Sequence, residues 1–194
     1  MSNLTVQNLS APAGAGNKIQ VPSPNVLYAP GHVIQVVNTK IVTPTAVSVP
    51  ASYTTHTDIP SLAASITPKS ATSQILVTVN WFGEFNPQTS VWNTVFNLKR
   101  NGTVISVPAG APSTTNPCGI TMATASYYAS DANSTPEIAA FQYLDSPAST
   151  SALIYQVSVV AAEASTLYTN RTVGATTGVY EYGTSMITLM EIAQ

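Results

Sequence analysis

From Ile75 to Trp81 apolar side chains occupy every second residue, Ile75, Val77, Val79 and Trp81, while Gln74, Thr78 and Asn80 take positions of the opposite parity. A period of two sends the two sets to opposite faces of an extended chain, so the stretch predicts a half-buried strand. Leu153, Tyr155, Val157 and Val159 repeat the pattern. In "TSMITLMEI" Ile187 and Leu189 point one way and Met186, Met190 and Ile192 the other, so both faces need cover. That predicts a central strand or one lying between subunits.

Further strand signals recur between turn residues: "HVIQVV" from His32, "VWNTVFNLK" from Val91, "TVISV" from Thr103, "GITMATASYY" from Gly119, "AFQYLD" from Ala140 and "TLYTNRT" from Thr166. No helix of three turns with apolar spacing stands out, and the many β-branched residues lower helix propensity further. Many short strands with turns between them read as an all-β sandwich or barrel. In "FNLKRNGTVISV" Asn101-Gly102 suits the two positive-φ positions of a type I′ turn. The register that follows sets Arg100 against Thr103, Leu98 against Ile105, Asn97 against Ser106 and Phe96 against Val107. Apolar then faces apolar, and polar faces polar.

Residues 1–30 differ. Leu4, Val6, Leu9, Ile19, Val21, Leu27 and Tyr28 keep the segment apolar, but Pro12, Gly14, Gly16, Pro22 and Pro24 deny it a regular element of its own. It reads as an extended arm (1–30) ahead of one sandwich domain (31–194), which the 194-residue length accommodates.

Charged residues are 7% of the chain and the net charge is -2. Neither a phosphate-binding footprint nor a polybasic membrane patch can be built from that, which argues against nucleic acid and membranes as partners. The longest apolar run, Ser151 to Ala162, is too short to span a bilayer. Ser and Thr supply about a quarter of the residues. Surface polarity therefore rests on hydroxyls and amides, a composition suited to packing against copies or partners.

Candidate chemistry is sparse. Cys118 is the only cysteine, which excludes an intrachain disulfide. His32 and His56 are the only histidines, and no Gly-x-Ser-x-Gly turn accompanies them. "THTD" places His56 two residues before Asp58, on one side of an extended chain, but two ligands make no metal site, and a polar loop or strand end before Pro60 is the simpler reading. Asp131 and Glu137 fall in the turn-rich "SDANSTPE", which reads as a solvated loop. Tyr127, Tyr128, Tyr180 and Tyr182 are candidate contacts for a subunit interface or a ligand, since tyrosines fill interfaces and stack on sugars at small entropic cost. No catalytic residue, metal site or cofactor is expected.

Taken in order, "SLAASITPKSATSQILVTV", "FNLKRNGTVI", "YLDSPASTSALIYQVSV" and "GTSMITLMEI" resemble the jelly-roll-like β-sandwich module of virion proteins of tailed bacteriophages, cyanophages among them. The resemblance covers about residues 31–194. It implies an antiparallel β-sandwich of jelly-roll type, commonly trimeric, found in head-decorating (cement) proteins and at tail-fibre tips. "NKIQVPSPNVLYAPGHVIQVV" resembles the connector before that module and begins near Met1 with no shaft ahead of it, which favours decoration of the head over a fibre tip. The implied partners are two further copies of the chain and a major capsid protein contacted by the arm, in a virion made in the host cytoplasm. The alternative is a receptor-binding tip that reads a host surface glycan through residues 108–137 and 163–183.

Overall fold

The structure, a computed structural model, describes residues 29–125, 134–175 and 181–194. Among these residues the chain forms β1 (Val33–Ile41), β2 (Thr45–Val49), β3 (Ser52–Ile66), β4 (Gln74–Asn86), a single 3-10 turn (Gln88–Asn93), β5 (Thr94–Arg100) and β6 (Thr103–Val104). There follow β7 (Thr124–Ala125), β8 (Glu137–Asp145), β9 (Leu153–Ala161), β10 (Ser165–Thr169) and β11 (Ser185–Ile192). One sheet, the β4 sheet, has seven strands in the order β1-β11-β4-β10-β2, with β8 also paired to β4 and β7 to β8, and the other, the β9 sheet, has the order β3-β9-β5-β6. Every pairing between these strands is antiparallel. Strands far apart in sequence are neighbours in each sheet, which is the winding of a jelly-roll sandwich.

The alternation in the sequence is what joins the layers. Ile75, Val77, Val79 and Trp81 are at most 1% exposed, and Leu153, Tyr155, Val157 and Val159 meet them from the facing sheet. Aromatic rings close one end of this core. Trp81 lies 5.7 Å from Phe85 and 5.1 Å from Phe96, in tilted arrangements that suit the ring quadrupoles. The buried indole Nε1 donates to Thr169 Oγ1 at 2.9 Å, so the tryptophan costs no unpaired donor. Strand β11 is central, held between β1 and β4.

The Asn101-Gly102 turn has positive φ at both residues, 48° and 82°. Arg100 pairs with Thr103 and Lys99 with Val104, and Ile105 N donates to Leu98 O at 2.9 Å, as the register requires. Beyond that point the expectation fails. Ser106 Oγ bonds Asn97 Oδ1 and accepts Leu98 N, which ends the ladder, and Phe96 pairs with Thr121 instead of Val107.

Other expectations also need correction. β2 and β3 gave no strand signal, and "THTD" is not a polar loop but the interior of β3. Pro60 is tolerated there because β3 is an edge strand, where a missing N–H breaks no second ladder. Val91, Trp92 and Asn93 belong to the 3-10 turn, which opens at Pro87 with Ser90 N bonded to Pro87 O, so the strand starts only at Thr94. β10 ends at Thr169, where Asn170 takes a positive φ of 65°. Of the segment from Gly119 to Tyr128 only Thr124–Ala125 forms a strand among the described residues.

Gly83 marks the tightest approach in the fold. A Cβ there would lie 2.0 Å from Tyr168 O and 2.4 Å from Trp81 Cζ2, and neither neighbour can yield. Gly83→Ala is expected to cost about 3 kcal/mol in urea unfolding, the upper end of what overpacking costs. Gly110→Ala, at a positive φ of 77° in open space, should cost only about 1 kcal/mol. Equal costs would contradict this packing.

Candidate functional site

Of the seven acidic residues among those described, four are buried, and the bonds they make assign their work. Glu191 extends the inward parity of Ile187 and Leu189 and accepts Gln35 Nε2 at 2.6 Å, Lys69 N at 2.7 Å and Ser70 N at 3.3 Å. It thereby ties the turn before β4 to β1 and β11. Glu84 accepts Gln88 Nε2 at 2.9 Å, Thr135 N at 3.0 Å and the Val173 amide, gathering three connections at one end of the sandwich. Glu137, expected in a solvated loop, is 1% exposed. It opens β8, and its Oε2 accepts Phe85 N at 3.1 Å. The correction has a simple cause: β8 begins at Glu137, three residues before the strand signal that opens at Ala140, and position 137 faces inward. Asp131 lies outside the described residues.

The fourth, Asp145, lies between the sheets. Arg100 Nη1 reaches its two oxygens at 2.8 and 2.7 Å, and Tyr155 OH donates to Oδ2 at 2.6 Å. Burial first, then this bond, holds the Tyr155 phenol well above its usual range, so it stays a donor. The triad pins β5, β8 and β9 together. Glu84, Asp145 and Glu191 each accept three hydrogen bonds, which commits them to holding strands and turns together.

His56 and Asp58 lie in one strand, and Lys99 engages that stretch: its ammonium bonds Asp58 Oδ1 at 2.6 Å and the His56 backbone carbonyl at 3.0 Å, so Asp58 is held in an ion pair. Burial, with the Lys99 charge, lowers the His56 pKa below its ordinary 6.5. Its buried Nδ1 has no partner.

The tyrosine candidates mostly lie outside the described residues: Tyr127, Tyr128 and Tyr180, as do all the arm positions Leu4, Val6, Leu9, Ile19, Val21, Leu27 and Tyr28. Tyr182 is described. Its ring is 59% exposed, its hydroxyl donates to Ala175 O, and its backbone bridges to Arg171. That hydroxyl fastens its own loop and is not offered outward. One cleft, of about 590 Å³, is bounded by Ser48, Val49, Pro50, Asn86, Ala164, Ser165 and Thr166. No group of three His, Cys, Asp or Glu residues able to hold a metal ion occurs among the described residues.

The two outer faces differ. On the β9 sheet, Asn97, Ser158 and Val160 point away from the core yet are fully buried. The chain's own segment after β6 accounts for part of this: Asn97 Nδ2 donates to Cys118 O at 2.9 Å, and a Cβ on Gly119 would lie 2.5 Å from Phe96 O. On the β4 sheet the outward positions keep large apolar groups in contact with solvent, among them Val36 at 56%, Ile138 at 50% and Leu144 at 51%. The buried acids and this open face were not singled out from sequence. The parity of Glu191 with Ile187 and Leu189 was the available signal for the first, whereas the second needs the strand order.

Comparison with protein families finds no model that matches the chain, and comparison with curated proteins finds no match. The reading of this molecule therefore rests on its own residues.

Two outcomes test the assignments above. Asp145→Ala should destabilise the fold by about 2 to 3 kcal/mol, because it strands a buried phenol and a guanidinium, whereas Tyr155→Phe should cost about 1 kcal/mol. A larger loss for Tyr155→Phe would show that the phenol, not the carboxylate, organises the triad. For His56, the unfolded chain binds the proton more readily than the folded one. Its contribution to stability is present above the unfolded pKa of about 6.5 and is lost as pH falls below it. The fall in melting temperature from pH 7.5 to 5.5 should therefore shrink in His56→Gln, and an unchanged slope would remove His56 as its source.

Proposed function

We propose that the chain is a non-enzymatic structural protein of a tailed-phage virion, a trimeric decoration or cement protein that binds the capsid through its arm, residues 1–30, and stabilises the head. The observation that carries this reading is how the ionisable side chains are used. Glu84, Glu137, Asp145 and Glu191 close strand ends and turns, Arg100 and Lys99 complete inter-strand ties, and the cleft between Ser48 and Thr166 brings together hydroxyls, an amide and aliphatic groups. The ordered resemblance of residues 31–194 to phage virion modules supplies the biological setting. A rigid jelly roll suits a body that must carry load.

The arm supplies the attachment. Its aliphatic residues cannot satisfy their backbone groups in a sheet of their own, so a neighbouring surface must, by strand addition or threading. Three arms on one trimer would raise the effective affinity of individually weak contacts. Stabilisation against internal pressure follows if the arms bridge adjacent capsomers.

Removing residues 1–28 should leave a folded protein with an unchanged unfolding transition that no longer co-sediments with heads stripped of the native protein. The double change Tyr127→Ala and Tyr128→Ala should leave that binding intact. Wild-type occupancy by the truncated protein would move the contact to the sandwich. Immunogold labelling of tail ends instead of heads, with adsorption to cells impaired by the tyrosine changes, would favour the receptor-binding tip.

A further inference from the structure

Asn101 is the one asparagine of the chain that glycine follows. Both residues are exposed at the tip of the hairpin between β5 and β6, and a Cβ on Gly102 would meet nothing within 4 Å, so no side chain crowds the Gly102 backbone. Asn101 is also clamped. Its N–H donates to Ile154 O at 2.9 Å, and its side-chain Oδ1 accepts Ile154 N at 2.8 Å, in the place where a backbone carbonyl would continue the ladder between β5 and β9.

We propose that Asn101 is a self-modifying site, at which the side-chain amide is converted to aspartate or isoaspartate with water as the only co-reactant, and that the folded hairpin withholds the reaction until it opens. The Gly102 backbone nitrogen gives its proton to solvent and attacks Asn101 Cγ. The N–Cγ bond forms, the Cγ–Nδ2 bond breaks, and ammonia leaves with a proton returned from solvent, which closes a five-membered succinimide. Water then adds to one of the two ring carbonyls. Cleavage of the new N–Cγ bond gives aspartate, whereas cleavage of the original peptide bond gives isoaspartate, whose main chain runs through Cγ. Nothing is oxidised or reduced.

Glycine opens this route. Elsewhere asparagine is followed by Leu, Lys, Val, Thr, Trp, Ser or Arg, whose side chains crowd the attacking nitrogen, or by Pro, which has no proton to lose there. The fold opposes the same route. Closure needs the Gly102 nitrogen eclipsed with Cβ about the Cα–C bond of Asn101. The φ values of 48° and 82° place both residues in the left-handed region, where that nitrogen lies nearly trans to Cβ. The bond from Ile154 N holds the carboxamide against β9 as well. Attack therefore waits for the turn to unwind, a local opening that costs free energy. Isoaspartate would add a carbon to the main chain of a two-residue turn and break the register in which Arg100 faces Thr103 and Ile105 N meets Leu98 O. The change is not reversed by water, so a modified turn records that the hairpin has opened.

The full chain tests this when it is kept folded in buffer and unfolded in urea at the same mildly alkaline pH and temperature, with conversion followed by peptide mass spectrometry. In urea Asn101 should be the first asparagine to acquire the mass of an acid. In the folded protein that conversion should run at least about tenfold slower, since it waits on local opening. Gly102→Ala, read only in urea, needs no fold, and it should slow conversion there by about tenfold because a β-carbon restricts the backbone that attacks. Equal rates in the folded and unfolded chains overturn the protection by the hairpin. The site itself is overturned if another asparagine converts first in urea, if Asn101 stays an amide there, or if Gly102→Ala leaves the rate unchanged.

Discussion

A buried amide must find an acceptor wherever a strand changes neighbours, and the sandwich is organised around one such place. Along one side β4 is paired with β11 as far as Asn80 and with β10 from Gly83 onward. In the gap, Phe82 N donates to Ser185 Oγ at 3.1 Å and Phe82 O accepts Asn170 N at 2.8 Å. On the other side the ladder with β8 stops at Gly83, and Glu137 reaches back to take Phe85 N. An unpaired buried amide costs about 1 to 3 kcal/mol, so side-chain acceptors at these positions decide whether β4 can run its full length. The aromatic cluster of Trp81, Phe85 and Phe96 is seated on that same stretch, which couples the polar closure to the core.

The same economy explains the acidic residues. A chain with so few charges holds four of its described carboxylates inside, each against backbone or side-chain donors. Each is worth more there than on the surface, where single ion pairs contribute little. The outcome is a scaffold whose ends are fixed without a disulfide, consistent with a single cysteine.

Strands with strict alternation were legible: Ile75 to Trp81, Leu153 to Val159 and the Asn101-Gly102 hairpin all lie where period and turn chemistry put them. β2 and β3 were hidden because Pro44, Pro50 and Pro60 punctuate a Thr-rich stretch, and a hydroxyl-rich edge strand has the same local composition as a loop. The roles of Glu84 and Glu137 could not be read, because a carboxylate beside Asn, Thr and Pro looks solvated until the strand it caps is placed. Rows across a sheet depend on which strands are neighbours, so the row of Val36, Met190, Leu76 and Leu144 across β1, β11, β4 and β8 was invisible in four separate segments. The arm and three of the four tyrosines stay where sequence alone speaks.

The edges of the two sheets carry one more consequence. β3 is a fifteen-residue edge strand, long enough to template another chain, yet its ladder with β9 slips between Asp58 and Ala63, where Pro60 lacks a donor and Ser61 turns to a φ of 62°. β1 at the edge of the other sheet shifts register between Val33 and Gln35. With charge too scarce for mutual repulsion, these irregularities interrupt the run of hydrogen-bonding groups that fibril growth requires. Crowded copies are thereby steered away from edge-to-edge stacking.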